Sequence, residues 1–252
     1  MSLNWRDPGI SKFAIPSISE MVNLLDNSGL SGDLIFHGGD LSPATLIAAY
    51  RSGLFPMPLE DDHLGWFCPR NRGVFITAAN SSAEPPIRVS RSLRKSLRNF
   101  SFSVNLAFPA VIDHCADPSR PGSWITPEIM KAYIRLHELG WAHSFEVWAG
   151  CNGQRNLVGG LYGVAIGGLF AGESMFHKTA DASKAALVAL ASSMAKQGGI
   201  LIDAQWNTDH LSSLGAVTIP RIEYLELLDE AVSLPLPEIF QLPHKGPISL
   251  DL

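Results

Sequence analysis

Between Gly159 and Gly215 the chain reads GGLYGVAIGGLFAGESMFHKTADASKAALVALASSMAKQGGILIDAQWNTDHLSSLG. Two apolar runs flank the Gly167-Gly168 pair, a long apolar stretch follows, and a short run, ILID, closes the segment. The pattern predicts strand, turn, strand, helix, strand, and any fold has to bury all of these elements. The polar residues fall where the elements end: Glu173 and Ser174, then Asp203 and Gln205. A carboxylate at the close of a buried apolar strand costs stability unless it is paired or used. Two such carboxylates in one segment point to a site.

Length and composition set the outer bounds. A chain of 252 residues, 46% apolar and 17% charged, has the material for a full core and does not read as disordered. That length suits one large domain or two small ones. The formal charge of −5 argues against wholesale non-specific nucleic-acid binding but leaves room for a local basic patch. Cys68, Cys115 and Cys151 make no CxxC pair, so neither a disulfide framework nor a zinc cluster is expected, and a reducing cytoplasm fits. The stretch MSLNWRDPGISKF carries no signal-peptide apolar run, and no window is apolar and long enough to span a bilayer.

Residues 1–35 read as an irregular arm with one short helix, Ile18–Leu25. Ser42-Pro43 starts a helix, a capping hydroxyl followed by a residue lacking the N–H that a first turn cannot use. Leu46, Ile47 and Tyr50 recur at helical spacing, Gly53 ends the helix, and Phe55-Pro56 is expected to turn the chain. HLGWFCPRNRGVF reads as turn-rich, and a boundary near residue 70 divides a small N-terminal domain (1–70) from the remainder (71–252). Ser90 caps a helix whose Arg91, Arg94, Lys95 and Arg98 share one face. SFSVNLAF alternates as a strand, FPAVIDHCA is a short helix, and PEIMKAYIRLHELG is a helix with Thr126 or Pro127 at its start and Gly140 past its end. HSFEVWA, NLVGGLYGVAI and GLFAGESMF make a meander of three strands. DASKAALVALASSMAKQGG is the longest helix, ILIDAQ a strand, and Asp209–Leu214 and Arg221–Ala231 short helices. The Pro-rich tail after Leu234 is expected on the surface. The order gives a mixed α/β (α+β) fold, compatible with an acyltransferase-like (GNAT-like) domain behind a small N-terminal one.

No GxGxxG after a strand, P-loop, HExxH or GxSxG is present, and the scattered histidines offer no paired metal ligands. The long helix opens with DASKAA rather than a glycine-rich pyrophosphate loop, which speaks against a CoA thioester donor. Asp203 and Gln205, two apart on a strand, are expected to face the same side, where they either line a site or satisfy a core network. Glu173 is either a strand-end ion pair or a site acid. Trp124, in GSWITP, either packs or lines a pocket for an apolar ligand. The basic helix is either a solvated face or a seat for phosphates.

The pieces GGDLSPATLIAAYRSGLFP, WFCPRNR, VSRSLRK, SWITPEIMKAYIRLHELGWAHSFEVW, LVGGLYGVAIGGLFAGESMF, DASKAAL and GGILIDAQWNTDHLSSLGA, in order over most of residues 38–221, make the chain resemble the leucyl/phenylalanyl-tRNA–protein transferase family. The resemblance implies an aminoacyltransferase that moves Leu, Phe or Met from aminoacyl-tRNA to proteins with N-terminal Arg or Lys. The product would be an N-degron for protein degradation. It further implies that no metal or organic cofactor is needed; a cytoplasmic location, no membrane association and a monomer are expected alongside it. By position, Asp203 and Gln205 match the catalytic pair and Glu173 the acid near the acceptor. Met57, Trp124, Leu161, Met175, Leu190 and Met194 fall where the donor side-chain pocket is lined, and Arg91, Lys95 and Arg98 fall in the tRNA-facing helix. Two departures stand out: Met57 where the family reads Trp, which bears on the preferred amino acid, and Ile166 where a polar residue is common. The rival readings are an acyl-CoA-dependent N-acyltransferase and a non-catalytic binder of basic N-termini.

Overall fold

The computed structural model describes residues 6–28, 32–60, 63–77, 87–120, 122–150, 155–241 and 245–250, so Cys151 and the first five residues lie outside it. In chain order the elements are α1 (Ile18–Ser28), β1 (Leu34–His37), α2 (Pro43–Arg51), β2 (Phe55–Pro58), β3 (Leu64–Phe67), β4 (Asn71–Ile76), α3 (Arg91–Leu97), β5 (Ser101–Val104), α4 (Phe108–Cys115) and α5 (Pro127–Glu138). They continue with β6 (Ala142–Ala149), β7 (Asn156–Ile166), β8 (Leu169–His177), α6 (Ala182–Lys196), β9 (Leu201–Asp203), α7 (Asp209–Ser213), β10 (Val217–Pro220), α8 (Arg221–Ser233) and β11 (Gly246–Ile248). Hydroxyl caps start four of the helices: Ser42, Ser90, Thr126 and Thr208 each accept from the N–H three residues on.

The strands form a three-stranded sheet, β1-β3-β2, and an eight-stranded sheet, β10-β4-β9-β8-β7-β6-β5-β11. Within the large sheet, among the described residues, β8 and β9 pair in parallel and the other neighbours are antiparallel. The pleat sends alternate side chains to two cores. Tyr162, Val164 and Ile166 of β7 pack with α2, α4, α5 and α8, whereas Leu161 and Ala165 pack with α6. Met21, Leu46, Ile47 and Tyr50 belong to the first of these cores, so the early helices share their interior with the large sheet. The passage from one sheet to the other falls between Phe67 and Asn71.

Four expectations are corrected. The segment Leu34–His37, which straddles the end of the expected arm, is a strand, and Phe55-Pro56 does not turn the chain but opens another. β2 tolerates Pro56 and Pro58 because it is an edge strand, hydrogen-bonded on one side to β3. HLGWFCPRNRGVF holds two strands, β3 and β4, rather than turns. The tail is not superficial: a 3₁₀ turn at Glu238–Phe240 buries Ile239 and Phe240, and β11 extends the large sheet beyond β5. Phe240 stacks on Phe170 with ring centroids 5.5 Å apart and meets Phe145 edge-on at 6.2 Å, which outweighs the surface preference of the surrounding prolines.

Candidate active site

The site forms where two parallel neighbours part. β8 and β9 pair over Leu169↔Leu201, Phe170↔Ile202 and Ala171↔Asp203, then β9 stops while β8 runs on to His177. Just past the split β8 carries a bulge. Tyr162 faces Ser174 and Gly163 faces Gly172, leaving Glu173 as the extra residue. A bulge turns a side chain away from the regular alternation, here at the mouth of the gap. The gap holds a cavity of about 150 Å³, and an apolar cavity of about that size is large enough to take up benzene. Phe75, Leu161, Phe170, Leu187, Leu190 and Ile202 supply its apolar wall, and Glu173, Ser174, Asp203 and Gln205 its polar one.

Asp203 closes β9 and is 1% exposed. Its Oδ1 accepts from Arg72 Nε at 2.8 Å and from the main-chain N–H of Gln205 at 3.0 Å. Its Oδ2 accepts from Arg72 Nη2 at 2.6 Å and the Tyr224 hydroxyl at 2.9 Å. Arg72 comes from β4, is equally buried, and lies between the rings of Tyr224 (4.2 Å) and Phe55 (4.9 Å). This is a bidentate pair with every carboxylate oxygen occupied, the condition under which a buried charge is tolerable.

Gln205 is not on the strand. It adopts a left-handed backbone, φ 57°, two residues past the end of β9. The expected same-face pairing is therefore corrected, because β9 ends at Asp203 and the chain turns. Asp203 holds the Gln205 main-chain N–H, and Gly73 N donates to the Gln205 carbonyl at 2.9 Å. A Cβ at Gly73 would come within 2.6 Å of Asn207 N, so the close approach requires glycine. The Gln205 side-chain amide, on the cavity, is engaged by no hydrogen bond among the described residues.

Glu173 keeps some surface on the cavity while its carboxylate is surrounded by protein. Oε1 accepts from the Tyr50 hydroxyl of α2 at 2.6 Å and Oε2 from the Tyr133 hydroxyl of α5 at 2.9 Å. The two phenols also contact each other. Burial pushes the Glu173 carboxyl up to about 7, the Tyr50 and Tyr133 hydrogen bonds resist, Asp203 adds to the rise and Arg72 opposes it. Nothing in the sequence patterns marks Arg72, Tyr50, Tyr133 and Tyr224 as site residues. The available signal was the unmet need of two buried acids for partners, with an arginine in WFCPRNR to supply one.

Leu161, Met175 and Leu190 line the cavity. Met57, Trp124 and Met194, expected beside them, lie elsewhere in the fold. Met57 sits on the small sheet and Trp124 packs half-buried against the α4–α5 core. Met194 is fully buried near the end of α6, under Gly199. Ile166 is buried where β7 enters the Gly167 turn, a place that asks nothing of a polar group. Arg91 and Lys95 stand exposed on α3, and Arg98 at its C-cap, while Leu93 and Leu97 face inward. A groove lined by Arg120, His177, Lys184 and His210 adjoins the cavity at Met175 and reaches Asp181, which accepts from Ser96 of α3 at 2.8 Å. Basic groups thus run from the helix towards the cavity. Among the described residues no three His, Cys, Asp or Glu side chains gather as metal ligands, and no helix is long and apolar enough to cross a membrane.

Comparison with known proteins gives a family. A profile described as leucyl/phenylalanyl-tRNA protein transferase matches residues 83–229, and one described as the N-terminal domain of that protein matches residues 39–70. The chain is similar to proteins called leucyl/phenylalanyl-tRNA–protein transferase from three bacteria. It is 50% identical to that of Aromatoleum aromaticum over 76% of this chain and 78% of the relative. It is 43% identical to that of Shewanella woodyi over 93% of each. It is 49% identical to that of Chromohalobacter salexigens over 81% of this chain and 77% of the relative.

Proposed function

We propose, from the premise that the chain belongs to the leucyl/phenylalanyl-tRNA–protein transferase family, that this transferase moves Leu, Phe or Met from aminoacyl-tRNA to the N-terminal Arg or Lys of acceptor proteins and so creates an N-degron. The observation that carries the reading is one apolar cavity with Glu173 and Gln205 on its polar wall. The donor side chain enters the hollow, which leaves its ester carbonyl beside Gln205. An ester is already activated, so the enzyme has to place a neutral amine against it, and positioning alone supplies several kcal/mol. An α-amine titrates near pH 8, so a fraction is neutral at pH 7. The Gln205 carboxamide oxygen accepts from the attacking N–H, Asp203 fixes the backbone that presents it, and Glu173 offers negative charge to the acceptor's cation. The enzyme works in the cytoplasm as a monomer, without metal or organic cofactor. Residues 1–70 form the small domain that lends Tyr50, and residues 71–252 the catalytic domain.

Purified protein mixed with labelled Leu-, Phe- or Met-tRNA and an Arg-starting peptide should yield an elongated peptide. Leu187→Trp, which fills the hollow, should abolish that yield while leaving tRNA binding intact. Extension by acetyl-CoA with none from charged tRNA refutes the reading.

The basic helix is the tRNA seat in this proposal, supported by the groove that leads from it to the cavity. Arg91→Glu with Lys95→Glu should weaken tRNA binding and make the slope of log K against log salt shallower by about one to two units, one lost phosphate contact per residue. An unchanged slope counts against α3.

A further inference from the structure

We propose that Glu173, Tyr50 and Tyr133 form a proton-holding ring, and that the cation of the incoming N-terminal residue docks by displacing the ring's proton to solvent. The proposal rests on the assignment of Glu173 to the acceptor.

It starts from a count of hydrogens. Tyr50 contacts Glu173 Oε1, Tyr133 contacts Glu173 Oε2, and the two phenol oxygens contact each other. The contacts close a ring in which each of three links needs a hydrogen. Two phenols carry two, and an ionised carboxylate carries none. The ring is complete when the third hydrogen is on Glu173: the acid donates to one tyrosine, that tyrosine to the other, and the second back to the acid. Both phenols are buried, so neither has water to turn to.

The surroundings keep this proton exchangeable. Tyr162 of β7 faces the same core, but its buried hydroxyl has no hydrogen-bond partner among the described residues and stays outside the ring. Asp203 of β9 opposes ionisation of Glu173 and Arg72 of β4 favours it, although Nε and Nη2 of Arg72 are committed to Asp203. Burial, the largest influence, lifts the carboxyl to about 7, so the ring holds its proton at neutrality or just below. Glu173 nonetheless lines the cavity, where a guanidinium or ammonium can reach it.

The exchange is balanced: the acid O–H bond breaks, the proton leaves to buffer, the cation takes its place, and no electrons move. Tyr50 and Tyr133 then both donate to the carboxylate and act as positioning residues. A neutral N-terminal side chain cannot ionise Glu173 and is refused.

Infrared difference spectra of the full-length protein, wild type minus Glu173→Gln, provide the test between pH 5 and 9. A protonated-carboxyl band should vanish with a midpoint near pH 7, and at pH 6 it should also vanish on addition of the dipeptide Arg-Ala. In Tyr133→Phe, where the carboxylate loses a donor, the midpoint should move upward. Thermal melts give an independent reading. Glutamine both gives and accepts as the acid does, so Glu173→Gln should melt no lower than wild type at pH 8. The wild-type melting temperature should fall relative to that variant as pH rises to about 7 and then level off, because the folded carboxyl holds its proton above the unfolded value. Dipeptide binding with the band unmoved, no band at any pH, or a Glu173→Gln protein less stable than wild type at pH 8 overturns the ring and leaves the acceptor site standing. Absence of dipeptide binding overturns the acceptor assignment and the exchange with it.

Discussion

Arg72→Met should unfold on the order of 10 °C below wild type at pH 7, since stripping one partner from a buried ion pair costs about 3–5 kcal/mol and each kcal/mol is worth about 2–4 °C in a chain of this size. The cost is less the lost attraction than the charge left behind. Asp203 is 1% exposed, and its remaining donors would be the Tyr224 hydroxyl and the Gln205 main-chain N–H. Methionine keeps the volume between the Tyr224 and Phe55 rings, so a cavity does not account for the loss. The double replacement Arg72→Met, Asp203→Leu separates charge from packing: it should recover most of the melting temperature and none of the transfer activity. Circular-dichroism melts of the three proteins decide the matter. A single variant melting within two or three degrees of wild type, on the order of 1 kcal/mol, would mean that the pair is not what closes this part of the sheet.

The pair also shows where a sequence stops being readable. Helix caps at Ser42, Ser90 and Thr126, the turn at Gly167-Gly168 and the long buried helix α6 are local patterns, and the structure has them where the periodicity predicts. Asp203 stands out in sequence as an acid at the end of an apolar run, but its partner lies 131 residues earlier, on a strand that reads as turn. Nothing local marks Arg72. The four-residue strands β1, β2 and β3 are too short for alternation to register, and two of the residues in β2 are prolines. Membership of the cavity wall follows a different rule again. Leu161, Met175 and Leu190 line it, with Phe75, Leu187 and Ile202, because of where β8 and β9 diverge. Phe240 in the tail and Glu173 at the bulge belong to the same class of feature, fixed by a pairing between distant segments. Side-chain chemistry was legible; which atoms it would meet depended on register.

Gln205→Gly should lower the transfer rate by about 10²-fold or more, the scale on which one positioned polar group acts at a reacting carbonyl, while leaving stability unchanged or raising it by up to about 1 kcal/mol. The two effects have opposite causes at one residue. At φ 57° a side chain is strained and glycine is not, so removing the side chain relaxes the backbone. The conformation itself survives, because the Asp203 carboxylate and the Gly73 N–H hold the main chain and not the carboxamide. Only the group that would meet the attacking amine is lost. Gln205→Asn is the sharper comparison, since asparagine tolerates the left-handed region but its amide falls one methylene short; it should fold like the glycine variant and transfer nearly as poorly. Single-turnover rates with Phe-tRNA at saturating peptide, alongside thermal melts, read both quantities. If the glycine variant retained the wild-type rate, the strained turn after β9 would serve architecture alone, and the catalytic assignment would have to move to Glu173. If it lost stability instead, the carboxamide would be a packing group and the left-handed backbone its consequence.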